Sequence, residues 1–155
     1  MERIVRWLLA ILIGINAVTG SVSAVMALSA KLGARAHIPT RLLSFYLTLS
    51  GWTVAAWLAS MVIFAVSIWL LLARKKTLFT YTTAFALDLL VFVLQLSNPD
   101  YGLTFTDAHR RLTIFVFVVL TAIGVVIDWL DMRATAPTAR PSGRTRPQGP
   151  RPAPG

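Results

Sequence analysis

The sequence predicts an all-α fold, an integral membrane bundle of four antiparallel transmembrane helices with a short extracytoplasmic interfacial helix and a disordered C-terminal tail. Two observations carry this expectation. Of 155 residues, 56% are hydrophobic and only 14% are charged, whereas soluble domains carry roughly 25% charged residues. The apolar residues also fall into four stretches of bilayer-crossing length, since a hydrocarbon core about 30 Å thick takes roughly 20 residues of helix. Four such spans occupy nearly all of residues 1–133, which are therefore expected to form one transmembrane domain without a separate soluble one.

The first span is expected over 4–28. Its opening, "MERIVR", and the small residues in "TGSVSA" also fit a cleavable secretory signal. Apolarity continues through Val25, Met26 and Leu28, however, further than a signal core needs, so the segment reads as a retained helix. Next comes "IPTRLLSFYLTLSG", too apolar for a solvated loop and too long to add to the following span. It predicts a short helix from Thr40 to about Leu49 in the outer interface, opened by Pro39 or Thr40 and broken at Ser50 and Gly51.

The second, third and fourth spans are expected over 52–73, 78–96 and 112–130. None contains proline: six of the eight prolines lie beyond Ala136, while Pro39 and Pro99 fall in loops. Trp7, Trp52, Trp69 and Trp129 sit near span ends, as an interfacial aromatic belt requires. "SNPDYG" at 97–102 is turn chemistry, and Thr106 is placed to cap the fourth span, with Asp107 near the positive end of its dipole. From 134 to 155 the chain is rich in Pro and Arg and lacks bulky apolar residues, so it predicts a disordered tail. Its "RPQGPRP" segment is suited to acidic lipid or to a partner that reads extended proline.

Orientation follows from the basic residues. The N-terminal end, the "RKK" loop at 74–76 and the segment after the fourth span hold ten Lys and Arg, against five on the other side. Both termini are therefore expected in the cytoplasm. The Arg, Ala and Pro bias suggests a bacterial chain, which places it in the inner membrane. The net charge of +9 is then explained by topology and tail. The expected partners are the lipid bilayer, another membrane protein or a second copy, not nucleic acid.

Several chemistries are not expected. The chain has no cysteine, which removes disulfides, thiolate nucleophiles and Cys-ligated zinc. His37 and His109 are the only imidazoles and lack ligand spacing; no HExxH, nucleophile elbow or glycine-rich phosphate loop occurs. No metal, cofactor or enzymatic activity is expected.

One residue resists this reading as plain membrane filler. Asp88 lies in the middle of the third span, where an acid costs roughly 2.5–3.5 kcal/mol. The eleven Leu, Phe and Val residues from Leu78 to Leu96 return roughly 3–7 kcal/mol. The helix inserts despite Asp88, which should face inward toward a partner. Asn16, Ser60 and Thr121 lie near the same depth in the other spans, with Asp128 and Gln95 as flanking relay positions. Polar and small residues recur on one helical face of each span: Asn16, Thr19, Gly20 and Ser23 in the first, Thr113, Thr121, Gly124 and Asp128 in the fourth. Gly14, Gly20, Ala24 and Gly124 are expected to let the helices approach closely.

Two functions are compatible with this layer. In the first, Asn16, Ser60, Asp88 and Thr121 form a packing network that fixes helix register in an accessory or stabilising subunit of a membrane assembly, with Asp88 protonated because burial disfavours the charged carboxylate. In the second, Asp88 is the proton or cation site of a small proton-coupled transporter or channel, relayed by Asp128.

Overall fold

A computed structural model describes residues 2–135. The tail expected over 134–155 lies outside the described residues, except that 134 and 135 continue the last helix. The described chain is all-α, with no strand: α1 (Glu2–Lys31), α2 (Thr40–Thr48), α3 (Gly51–Leu72), α4 (Leu78–Leu96), α5 (Tyr101–Thr104) and α6 (Asp107–Thr135). Four helices, α1, α3, α4 and α6, are long and apolar enough to cross a membrane.

Local chemistry sets the helix ends. α1 outruns its predicted end at Leu28 and stops at Gly33, whose φ of 86° suits a residue without Cβ. Ala34 N then donates to Ser29 O at 3.0 Å, closing the last turn. α3 opens on Ser50, whose Oγ accepts from Thr53 N at 3.1 Å. It ends on Arg74 at φ 55°, a strained position for a residue carrying a side chain, with Lys75 N bonded to Leu70 O at 2.9 Å. α6 starts five residues before the predicted span, where Thr106 Oγ1 accepts from His109 N at 3.3 Å.

The stretch read as a plain turn at 97–102 contains more than a turn. Asn98 Oδ1 accepts from Asp100 N, and the chain then winds through the single turn of α5. Burial drives this winding, because the Tyr101 ring is 2% exposed and packs edge-on against Phe45 of α2. Asn98 Nδ2 also donates to Thr48 Oγ1 at 2.9 Å, fastening the loop to α2.

α3 packs along both α1 and α4, and α6 is attached chiefly through α4. α1 meets its neighbours with small residues, burying Ala10, Ala17, Ala24, Ala27 and Ala30 beside Leu9 and Ile13. At Gly20 a Cβ would lie 2.5 Å from the Met61 sulfur, so glycine permits that approach; Gly14 has ordinary room, 3.9 Å from Ile68.

The buried side chains form two cores. One unites Ile13 of α1, Phe64 and Leu71 of α3, Tyr81 of α4, and Leu120, Ile123, Ile127 and Leu130 of α6. The other joins Ala27, Ala30, Phe45, Tyr46, Val54, Phe92 and Tyr101, and α6 adds no buried residue to it. From Asp107 to Val119 not one residue of α6 is buried. α6 is thus fully packed along its second half and only partly along its first, where Val116, Phe117 and Val119 are half-buried and Phe117 packs on Phe85 and Phe92 of α4.

Candidate functional site

This partial attachment leaves a cleft of about 630 Å³, walled by α1 and α6 and floored by α3 and α4. Its lining is mostly apolar and aromatic, including Phe45, Trp57, Phe92, Phe105 and Phe117. Polar groups enter from three helical positions of α1 (Asn16, Thr19 and Ser23), from Asp88 and Gln95 of α4, and from Thr113 and His109 of α6. The volume falls within the range of small-molecule pockets, which are largely apolar with a few placed polar groups.

Asp88 reaches the cleft because α4 buries the face Tyr81, Ala84, Asp88, Val91, a run at steps of three and four. The side chain is 9% exposed. Asn16 Nδ2 donates to Asp88 Oδ2 across the floor at 3.4 Å, a long bond for this pair of groups. No basic side chain among the described residues forms an ion pair with Asp88.

The other members of the expected polar layer stay apart from this pair. Ser60 is fully buried but donates to Trp57 O of its own helix at 2.8 Å. Thr121 is exposed and donates to Phe117 O at 2.8 Å. Asp128 is half-buried and does not line the cleft. The inward face of α6 is instead Leu120, Ile123, Ile127, Leu130 and Asp131. On α1 the predicted polar stripe fronts the cleft, while the alanine stripe enters the core. The physical reason is that a hydroxyl in a helix satisfies itself on a carbonyl one turn back, so its polarity does not drive it inward.

Two charged residues outside that layer take structural positions that the sequence reading passed over. Asp131 Oδ2 accepts from Thr77 N at 2.7 Å and Leu78 N at 2.9 Å, capping α4 from α6. α4 needs this, since the Thr77 hydroxyl turns to Lys75 O and supplies no cap. The sequence carried no signal of this, because Thr77 is itself a favoured N-cap residue. Arg6 is 3% exposed and donates to Leu71 O at 3.3 Å while pairing with Glu2 at 2.9 Å. Beneath the cleft, Tyr81 OH donates to Leu120 O, tying α4 to α6.

The mouth of the cleft is aromatic. Phe105 packs edge-on against Phe45 and stacks on His109 at 4.5 Å between ring centroids. Burial pushes the Tyr46 phenol above its ordinary value against an opposing hydrogen bond with Ser23, and burial likewise raises Tyr101 against the Arg110 charge. Both phenols therefore stay neutral donors, leaving Asp88 as the one acidic side chain among the cleft's lining residues. His37 and His109 are both exposed, and no three His, Asp or Glu side chains come together among the described residues. Comparison with protein-family models, with curated proteins and with solved structures finds no match to this chain.

Proposed function

We propose that this chain is a non-enzymatic inner-membrane protein of four antiparallel spans with both termini cytoplasmic. It works as an accessory or stabilising component of a membrane assembly, by holding a hydrophobic partner in the cleft between α1 and α6. Membrane insertion is supported by the outward apolar surface: only 17–39% of each candidate span is buried, and Ile4, Val18, Val62, Phe79 and Val125 are all more than 60% exposed. In water such a surface would aggregate; in hydrocarbon it is the ordinary exterior. The antiparallel order is supported by bonds between opposite helix ends, Arg6 with Leu71 and Asp131 with Thr77.

One observation carries the binding reading, namely that α6 fully buries no residue from Asp107 to Val119 while a cavity runs along its inner side. The test uses the absence of cysteine. A single Val116→Cys on the cleft wall carries a benzophenone maleimide in native membranes, with Phe79→Cys, 83% exposed and outside the cleft, as reference. A discrete adduct at 116 and only bulk lipid at 79 is expected. Identical lipid adducts at both positions would refute the reading.

A second reading, a small proton-coupled transporter, is favoured by the presence of Asp88 with Asn16 in the cleft. It predicts proteoliposome flux that Asp88→Asn abolishes; as a scaffold the variant keeps its function, because the amide still hydrogen-bonds. Binding fits the geometry better than conduction. Phe64 and Tyr81 fill the core beside the cleft, which supports a pocket closed on that side.

A further inference from the structure

Resting on that reading of the cleft as a binding site, we propose that its occupant is a cationic amphiphile, an alkyl chain with an ammonium group seated against Asp88.

Three observations converge on this chemistry. The first is a carboxyl group short of partners. Asp88 is the one acid lining the cavity, no Lys or Arg lines it, and the only bond it makes within the described chain is the long one from Asn16 Nδ2. That bond occupies Oδ2. Oδ1 makes none, yet it is not among the buried polar atoms lacking a partner, so it opens on the cavity. An anionic headgroup is repelled there. A neutral chain would cover the carboxyl group without offering it a partner, and in a low-dielectric surrounding that omission is expensive.

The second is the wall. Trp57, Phe92 and Phe117 line the same cavity as Asp88, and aromatic faces attract cations through the ring quadrupole, most strongly where water is excluded.

The third is size. On α1 the lining runs from Leu12 to Ser23, about 16 Å of helix rise. The cavity holds about 630 Å³, within the range of small-molecule pockets and enough for a slender chain.

The experiment places the full chain in zwitterionic nanodiscs and titrates three probes of equal chain length: bromoundecyl-trimethylammonium, bromoundecanol and bromoundecanoate. Bromine quenches tryptophan, and the component of quenching lost in Trp57→Phe reports occupancy of the cleft. The ammonium probe should bind at least tenfold more tightly than the alcohol, with the carboxylate weakest. Asp88→Asn should bring the ammonium probe down to the alcohol's affinity and leave the alcohol unchanged. Equal affinity for all three probes in the unaltered protein overturns the proposal without any variant, as does a preference for ammonium that survives Asp88→Asn. If none of the probes quenches Trp57, the cleft is not a site for small amphiphiles and this inference fails, while the partner-binding reading is decided by the crosslinking at Val116→Cys. A dimer whose α6 covers the neighbouring cleft and excludes every probe gives that same result.

Discussion

Asp131 caps Thr77 across the bundle, its Oδ2 lying 2.7 Å from the threonine's backbone nitrogen and 2.9 Å from that of Leu78. Two orphan donors at the start of α4 are thereby satisfied by a residue 54 positions later, and the second half of α6 is fixed to α4. Asp131→Ala should lower stability by about 1–3 kcal/mol, the range for losing a charge-assisted cap. Asp131→Asn, which keeps an acceptor oxygen, should recover part of it. Thermal unfolding in detergent, with Asp128→Ala as the comparison, checks the order; an equal loss from Asp128→Ala would remove the capping account.

Tyr81 ties the same two helices nearer the cleft floor. Its ring is 2% exposed and its hydroxyl donates to Leu120 O. Tyr81→Phe should cost about 0.5–1.5 kcal/mol, the value of one hydrogen bond, because the ring still fills its place. Tyr81→Ala should cost about 3–5 kcal/mol, since the ring volume is lost as well. A phenylalanine variant as unstable as the alanine one would show that the bond, not the packing, dominates.

The uneven attachment of α6 makes a prediction along a single helix. Ile127 is fully buried, and Ile127→Ala should cost about 2–5 kcal/mol. Phe115 is 63% exposed in the half that has no fully buried residue, and Phe115→Ala should change stability by less than about 0.5 kcal/mol in spite of its larger side chain. Denaturation in one detergent at fixed protein concentration compares them. Similar losses would mean that α6 is covered along its whole length, by another copy if the loss also depends on concentration.

Sidedness can be read with single cysteines in this cysteine-free chain. Ser97→Cys, beside α5, should react with a membrane-impermeant maleimide added to intact cells, whereas Lys76→Cys should react only after permeabilisation. The reverse pattern would invert the orientation drawn from the basic residues and place the cleft mouth in the cytoplasm.

The helices were legible because hydrocarbon thickness and loop punctuation both act on local sequence: the third span was expected at the bounds that α4 has, and the break at Ser50 is where α3 is capped. Helix rotation was less legible. Thr19 and Thr121 bond to Ile15 O and Phe117 O of their own helices, so neither hydroxyl depends on burial. Small side chains marked the packed face of α1 better than polar ones, since close approach rather than polarity joins helices in a membrane. Similar depth also failed to bring Ser60 to Asp88, because its hydroxyl turns to its own helix. Asp131 was missed because its role depends on a helix start 54 residues earlier, a relation that no local window contains.

The half-bound state of α6 has a mechanical side. Its start, Asp107 to Leu112, is exposed throughout, while Phe117 rests on Phe85 and Phe92, and Leu120 and the residues after it anchor the rest. Beyond Phe117 the arm is roughly 15 Å long, so a tilt of about 5° there becomes roughly 1.3 Å at Asp107. In the bilayer placement and cleft occupancy proposed above, lateral pressure from lipid acts there with its greatest leverage, so the width of the gap should follow the tension of that membrane as well as the size of the proposed occupant.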